Sequence, residues 1–221
     1  MSKYVNVHTH LNQNENVISI QHVHAGELDE ETSIGLFSVG FHPWYIQESS
    51  WKEKLDKMRT EVKHPTVLAI GESGLDKVCE TPFSLQEDVF TAMIELSESI
   101  QKPLIIHCVR AFQEIIELHK KFQPQQPWII HGFNRNQNLA SSLLDRGIML
   151  SFGAEVMKQD SPVLEVLKNI SSLAFFMESD NKNISMEKLY LTAANIRNVK
   201  MEEMKEILFN NFKSVFKYAG S

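Results

Sequence analysis

The chain has 221 residues, 43% hydrophobic and 23% charged, which excludes a disordered or low-complexity protein and suits one domain with a sizeable core. A formal net charge of −6 argues against a basic coat that grips long duplex nucleic acid through phosphate contacts alone, while a locally positive cleft stays compatible with it. Cys79 and Cys108 cannot make a disulfide framework, and neither a signal-peptide core nor a membrane-length apolar run is present, so a reducing, cytoplasmic setting is expected.

In chain order, short runs rich in Val, Ile, Leu or Phe fall at 4–8, 17–22, 34–40, 66–71, 103–106, 128–130, 148–152 and 173–177, as strands covered on both faces would. Helical spacing separates most of them. Trp51, Leu55, Met58 and Val62 share one face, with Ser50 and Glu53 in capping-box register. Leu85, Val89, Met93, Leu96 and Ile100 form a second stripe, introduced by Ser84 and Glu87 in the same register. Further helices are expected over 111–121, 137–145 and 162–169, the last behind a Ser161-Pro162 cap. A terminal helix near 201–217 carries Met204, Leu208 and Val215 on a face broken by Asn211.

Alternating strands and helices predict a parallel α/β fold, and eight strands favour a closed (β/α)8 TIM barrel over an open sheet. One domain spanning 1–221 is expected. Residues 11–33 leave no room for full helices after strands one and two, so the first two β/α units are shortened.

The chemistry lies in what ends the strands. His8-Thr9-His10 closes the first, and residues i and i+2 of an extended segment point to one face. Glu72 follows the fourth apolar run, His107 the fifth, His131 the sixth and Asp180 the eighth. In a barrel such ends share the rim where barrel active sites sit. Four histidines with two carboxylates suit Zn²⁺, Mn²⁺, Co²⁺ or Fe²⁺, whereas Mg²⁺ prefers more oxygen. His42, at the end of the third strand, either takes part in catalysis or packs against Trp44. Asp76 buttresses a ligand or caps the segment after it. Glu155 and Glu178 read as solvated carboxylates, Cys108 as core, and His64 and His119 as structural. His22-Val23-His24 repeats the HxH pattern in the shortened region, and its role stays open.

These residues resemble the TatD family of metal-dependent hydrolases, within the amidohydrolase superfamily. The likeness rests on His8-Thr9-His10, Gly40-Phe41-His42-Pro43-Trp44, Gly71-Glu72-Ser73-Gly74-Leu75-Asp76, the 103–110 segment PLIIHCVR, His131-Gly132-Phe133 and Glu178-Ser179-Asp180. It runs in order from residue 5 to about residue 217. The resemblance implies two divalent cations (Zn²⁺, Mn²⁺ or Mg²⁺): His8, His10 and Asp180 hold one, His107 and His131 the other, and Glu72 bridges them. It also implies a deoxyribonuclease acting on single-stranded DNA or DNA ends, with no membrane and no obligate protein partner. In that reading the cations supply hydroxide and clamp phosphate oxygens, Asp180 is the general base, Arg110 forks onto phosphate, and His42 binds phosphate or protonates the leaving oxygen. Three positions depart from the family pattern: Asn6 stands where Asp is common, Ser179 where Thr is usual, and Asn181 where Ala-Pro is common. Two other functions stay open: a hydrolase of small phosphoesters, lactones or amides on the same metals, and a non-catalytic barrel protein.

Overall fold

The computed structural model describes residues 3–11, 16–29 and 34–219. Its elements are β1 (Tyr4–Thr9), β2 (Val17–His24), β3 (Leu36–Gly40), α1 (Trp51–Glu61), β4 (Val67–Asp76), α2 (Phe83–Ile100), β5 (Leu104–Val109), α3 (Phe112–Phe122), β6 (Trp128–Ile130), α4 (Gln137–Leu144), β7 (Met149–Phe152), α5 (Val163–Asn169), β8 (Phe175–Met177), α6 (Met186–Arg197) and α7 (Met201–Val215). The strands follow one another in the sheet in chain order, β1 to β8. The pairings β1–β2, β3–β4, β4–β5, β6–β7 and β7–β8 are parallel. All eight expected strands form. Chain contacts divide into two compact units, residues 1–21 with 129–221, and residues 22–128.

In the second of these units, β4 and β5 run further than their apolar runs, so Glu72 and His107 stand inside strands rather than after them. Glycines make this possible. A Cβ at Gly71 would lie 2.3 Å from the Ile105 carbonyl oxygen, and one at Gly74 would lie 2.0 Å from that of His107. Gly71 also adopts φ 125°, which side chains rarely accept. The register of β4 on β5 shifts between Ile70 and Ser73, within this stretch. Helix α2 packs on β4 with Val89, Phe90, Met93 and Ile94 buried, each stabilising by about 1.5–3 kcal/mol relative to exposure.

No helix lies among the described residues between β2 and β3, while 12–15 and 30–33 fall outside the described part of the shortened region. Glu61, buried at the end of α1, organises that connection instead. Its carboxylate accepts the Gly26 amide at 2.9 Å and the Leu28 amide at 3.0 Å.

In the first unit, α7 packs on β1 and β8, and α6 packs on β1. Helix α6 was not foreseen from the sequence, although Met186, Leu189, Tyr190, Ala193 and Ala194 make a buried stripe at helical spacing. The Tyr190 hydroxyl accepts from the Val5 amide and donates to the Val5 carbonyl, both at 2.9 Å. Asn211 explains the break in the α7 face: its amide donates to the carbonyls of Ser172 at 2.8 Å and Phe175 at 3.0 Å, ahead of and within β8.

The expected caps are not the ones used. Ser50 makes no capping bond and donates to the Gln47 side chain at 3.3 Å. Helix α2 starts at Phe83 behind Pro82, so Ser84 lies inside it, and α5 starts behind Pro162 with no side-chain cap. Only α4 among the helices named here has a side-chain cap, from Asn136 to the Leu139 amide at 3.2 Å. Among the described residues no helix is long and apolar enough to cross a membrane.

Candidate metal centre

In the first unit the end of β1 meets the residues after β8. The Asp180 amide donates to the His8 carbonyl at 3.0 Å, and the His10 amide donates to the Asp180 carbonyl at 3.1 Å. This fixes Asp180, whose φ of 51° is left-handed, beside both imidazoles. Asp180 Oδ1 lies 3.8 Å from His8 Nε2 and 3.6 Å from His10 Nε2. His8 is wholly buried and His10 half-buried. His131, just past β6, stacks tilted against His8 with ring centroids 4.4 Å apart. Donor atoms of His8, His131 and Asp180 all fall within 4.8 Å of one another. Within this unit His131 therefore lies beside His8 and Asp180.

A relay of hydroxyls braces this junction. The Asn6 amide donates to Ser179 Oγ at 2.8 Å, Ser179 Oγ donates to Thr9 Oγ1 at 3.1 Å, and Thr9 Oγ1 donates to the Asp180 carbonyl at 3.1 Å. Chained donors of this kind polarise one another and hold a single geometry.

Glu178 corrects the expectation of a solvated carboxylate, because it is fully buried. Its Oε1 lies 3.3 Å from His131 Nδ1. Burial pushes the Glu178 carboxyl up, but the charge and hydrogen bond of His131, followed by the charge of His8, more than offset this and hold it below the usual carboxylate range. An ionised Glu178 accepts the His131 Nδ1 proton, so the Nε2 lone pair is the one available to a cation.

The second unit gathers His42, Glu72 and His107, with donor atoms again within 4.8 Å of one another. His107 Nδ1 lies 2.7 Å from Glu72 Oε1, and His107 Nε2 lies 3.2 Å from Asp76 Oδ2. Asp76 both buttresses and caps: besides His107, it accepts Trp44 Nε1 at 2.7 Å and the Val78 amide at 2.8 Å. Burial raises the Asp76 carboxyl, yet the bonds from Trp44, Val78 and His107 outweigh burial and leave it below its ordinary value.

His42 accepts the Trp44 amide at Nδ1, 3.1 Å away, so the neutral ring keeps its proton on Nε2. That Nε2 lies 3.3 Å from Glu72 Oε1. A ring in this tautomer is a proton donor rather than a cation ligand. The His42 ring also sits edge-on to Trp44, 5.2 Å between centroids, so both of its anticipated uses occur together.

His22 and His24, whose role the sequence left open, belong to this unit's site. The Glu72 amide donates to His22 Nδ1 at 2.8 Å, and His22 Nε2 lies 3.3 Å from His24 Nδ1. The Gly71 carbonyl is also 3.1 Å from His22 Nδ1; the shorter contact sets the tautomer, with the proton on Nε2 donated to His24. The only sequence signal for this role was the HxH spacing itself. Arg110 is exposed immediately after β5 in a left-handed conformation, φ 55°. Cys108, expected in the core, is half-buried. His64 bonds Thr66 Oγ1 at 2.6 Å, His119 packs edge-on to Trp128 and Glu155 pairs with Lys158, all structural or surface roles.

The donors around Asp180 fit a divalent cation. Two donors on one tetrahedral ion stand roughly 3.3 Å apart, and the carboxylate–imidazole separations of 3.6 and 3.8 Å around Asp180 are near that span. The 2.7 Å contact between His107 and Glu72 is a hydrogen bond, so a cation would take the place of that proton. The outer carboxylates Glu178 and Asp76 hold one nitrogen of His131 and His107, the usual support of a metal-ligating histidine.

Eight sheet strands in chain order, alternating with helices, define a (β/α)8 barrel protein that carries histidine–carboxylate clusters able to hold a metal ion. A TatD homologue from Escherichia coli K12 has the same fold, with TM-score 0.84 at 18% identity over 97% of this chain and 98% of that one. The family model described as TatD related DNase matches residues 3–217, and the chain belongs to that family. An uncharacterized metal-dependent hydrolase of Buchnera aphidicola is 30% identical over 68% of this chain and 57% of its own length. A human protein named as a 3'-5' RNA nuclease is 36% identical over 44% of this chain and 13% of its own. The chain therefore spans less than two thirds of either of these relatives.

Proposed function

We propose that this chain is a metal-dependent phosphodiesterase that hydrolyses single-stranded DNA or DNA ends. The observation that carries the reading is that each compact unit gathers histidine and carboxylate donors within 4.8 Å, with an ionised carboxylate behind the histidine. The family description as a DNase and the nuclease name of the human relative support the choice of bond. In this reading two divalent cations would be held by His8, His10, Glu72, His107, His131 and Asp180; Zn²⁺ and Mn²⁺ suit the nitrogen-rich set, with Mg²⁺ as an alternative. Cations held there would acidify a bound water near neutral pH and withdraw charge from phosphate oxygens.

The residues do the rest. Asp180 uses a carboxylate oxygen to orient the attacking water and accept its proton. His42, with its proton fixed on Nε2 by the Trp44 amide, donates to the leaving oxygen. Exposed Arg110 binds a phosphate oxygen pair. His22 holds the Glu72 amide, and thereby the direction of the Glu72 carboxylate. A cytoplasmic location and action without an obligate protein partner belong to the same reading.

The purified chain with Mn²⁺ or Mg²⁺ is expected to release nucleotides from a single-stranded oligonucleotide, and Glu72→Ala is expected to abolish release. Full activity in that variant, or no release by the wild type with any divalent cation, overturns the assignment.

A further inference from the structure

Within the second unit a pocket of about 190 Å³ opens on the far side of His42 from Glu72 and His107, neither of which lines it. His24, Tyr45, Gln47, Trp51 and Lys54 line it together with His42. The short 3-10 turn after β3 leaves Tyr45 61% exposed. The ring is nonetheless fixed, edge-on to His24 at 5.0 Å and tilted to His42 at 5.4 Å. Held on one side and open on the other, Tyr45 is a stacking platform.

The charge of the pocket decides what would stack there. Lys54 is its one formal cation, and Glu27, also in the lining, stands 3.5 Å from the Lys54 ammonium. That pairing offsets the positive charge, so the pocket offers little to a phosphate. Gln47 adds an amide that can both donate and accept at the edge of a flat polar ring. The volume accommodates one ring system and not a base pair.

We infer that this pocket takes one unpaired nucleobase of the substrate strand, stacked on Tyr45 next to the phosphodiester that is cut. The inference rests on the phosphodiesterase reading and deepens it, because a base can enter only when it is unpaired, which selects single strands and frayed ends over duplex. A base–aromatic stack accounts for roughly tenfold in affinity.

The test compares oligonucleotides that carry one abasic residue, walked through the positions near the cut, with the intact strand. For the wild type, one abasic position should raise KM about tenfold, a loss on the scale of one base stack. Tyr45→Ala should raise KM for the intact strand by a similar factor, yet by less than about twofold for the strand abasic at that position, since the stack is already gone. Tyr45→Phe, which keeps the ring, should restore the wild-type value. Equal losses for Tyr45→Ala on intact and abasic strands, or no loss on either, would overturn the pocket assignment while leaving the phosphodiesterase reading standing. Turnover of bis(p-nitrophenyl) phosphate by the wild type separates the two: its absence together with failure on every oligonucleotide removes both.

Discussion

Asn6 and Ser179 hold each other twice: the Asn6 amide donates to Ser179 Oγ at 2.8 Å, and the Ser179 backbone amide donates to Asn6 Oδ1 at 3.0 Å. Each of these side chains therefore depends on the other for its place at the junction of β1 with the residues after β8. Asn6→Ala leaves buried partners unsatisfied and is expected to cost about 2 kcal/mol, with Ser179→Ala costing about 1 kcal/mol. Urea unfolding of the double variant should reveal a coupling of roughly 1 kcal/mol. Simple additivity would mean that the reciprocal pair contributes nothing of its own.

Tyr190 stitches α6 to the backbone of β1. Tyr190→Phe removes the hydroxyl that serves both the Val5 amide and carbonyl, leaving two buried backbone groups to find other partners. A loss of about 1–3 kcal/mol is expected from thermal or urea unfolding. A change of only a few tenths would show that Val5 repairs its bonding elsewhere.

His22 is expected to act through Glu72. His22→Leu removes the acceptor for the Glu72 amide and should weaken cation binding roughly 10–100-fold, the usual effect of losing an outer support. His22→Asn retains an acceptor oxygen near the Nδ1 position and should recover most of that affinity. Calorimetric titration with Mn²⁺ distinguishes this from a purely structural role, for which Asn and Leu would fail alike.

Glu178 makes stability depend on acid. Its carboxyl titrates below the ordinary value of 4.5 in the folded chain, so the folded state holds the proton less tightly than the unfolded one. The resulting stabilisation is fully present above that ordinary value and is lost as the pH falls through and below it. Metal-free protein should therefore lose unfolding free energy on acidification from about pH 5 downward, and Glu178→Gln should flatten that slope. Equal slopes in the two proteins would remove Glu178 from the account.

Strand positions were legible because each buried strand is a short apolar run, from 4–8 through 173–177, and the periodicity of α1, α2 and α7 marked their faces. Helix α6 was missed although its buried stripe is present, because the Thr192, Asn195 and Arg197 positions dilute it. Cap positions failed for local reasons: Pro82 sets where α2 begins, ahead of the Ser84–Glu87 spacing, and Ser50 turns its hydroxyl to Gln47 instead of into α1. The histidines and carboxylates that gather into candidate clusters were legible from where apolar runs stop. The supporting groups were not, since nothing in Glu178, His22 or Asn6 as letters tells a buried brace from a surface residue. Their roles depend on partners up to 173 positions away.

The most direct test of the account is the number of cations the chain retains. After equilibration with Mn²⁺ and removal of the excess, metal analysis should find two ions per wild-type chain and fewer than two in both Asp180→Ala and Glu72→Ala, because each carboxylate is one of the gathered donors. Fewer than one ion in the wild type, or two in both variants, would contradict it.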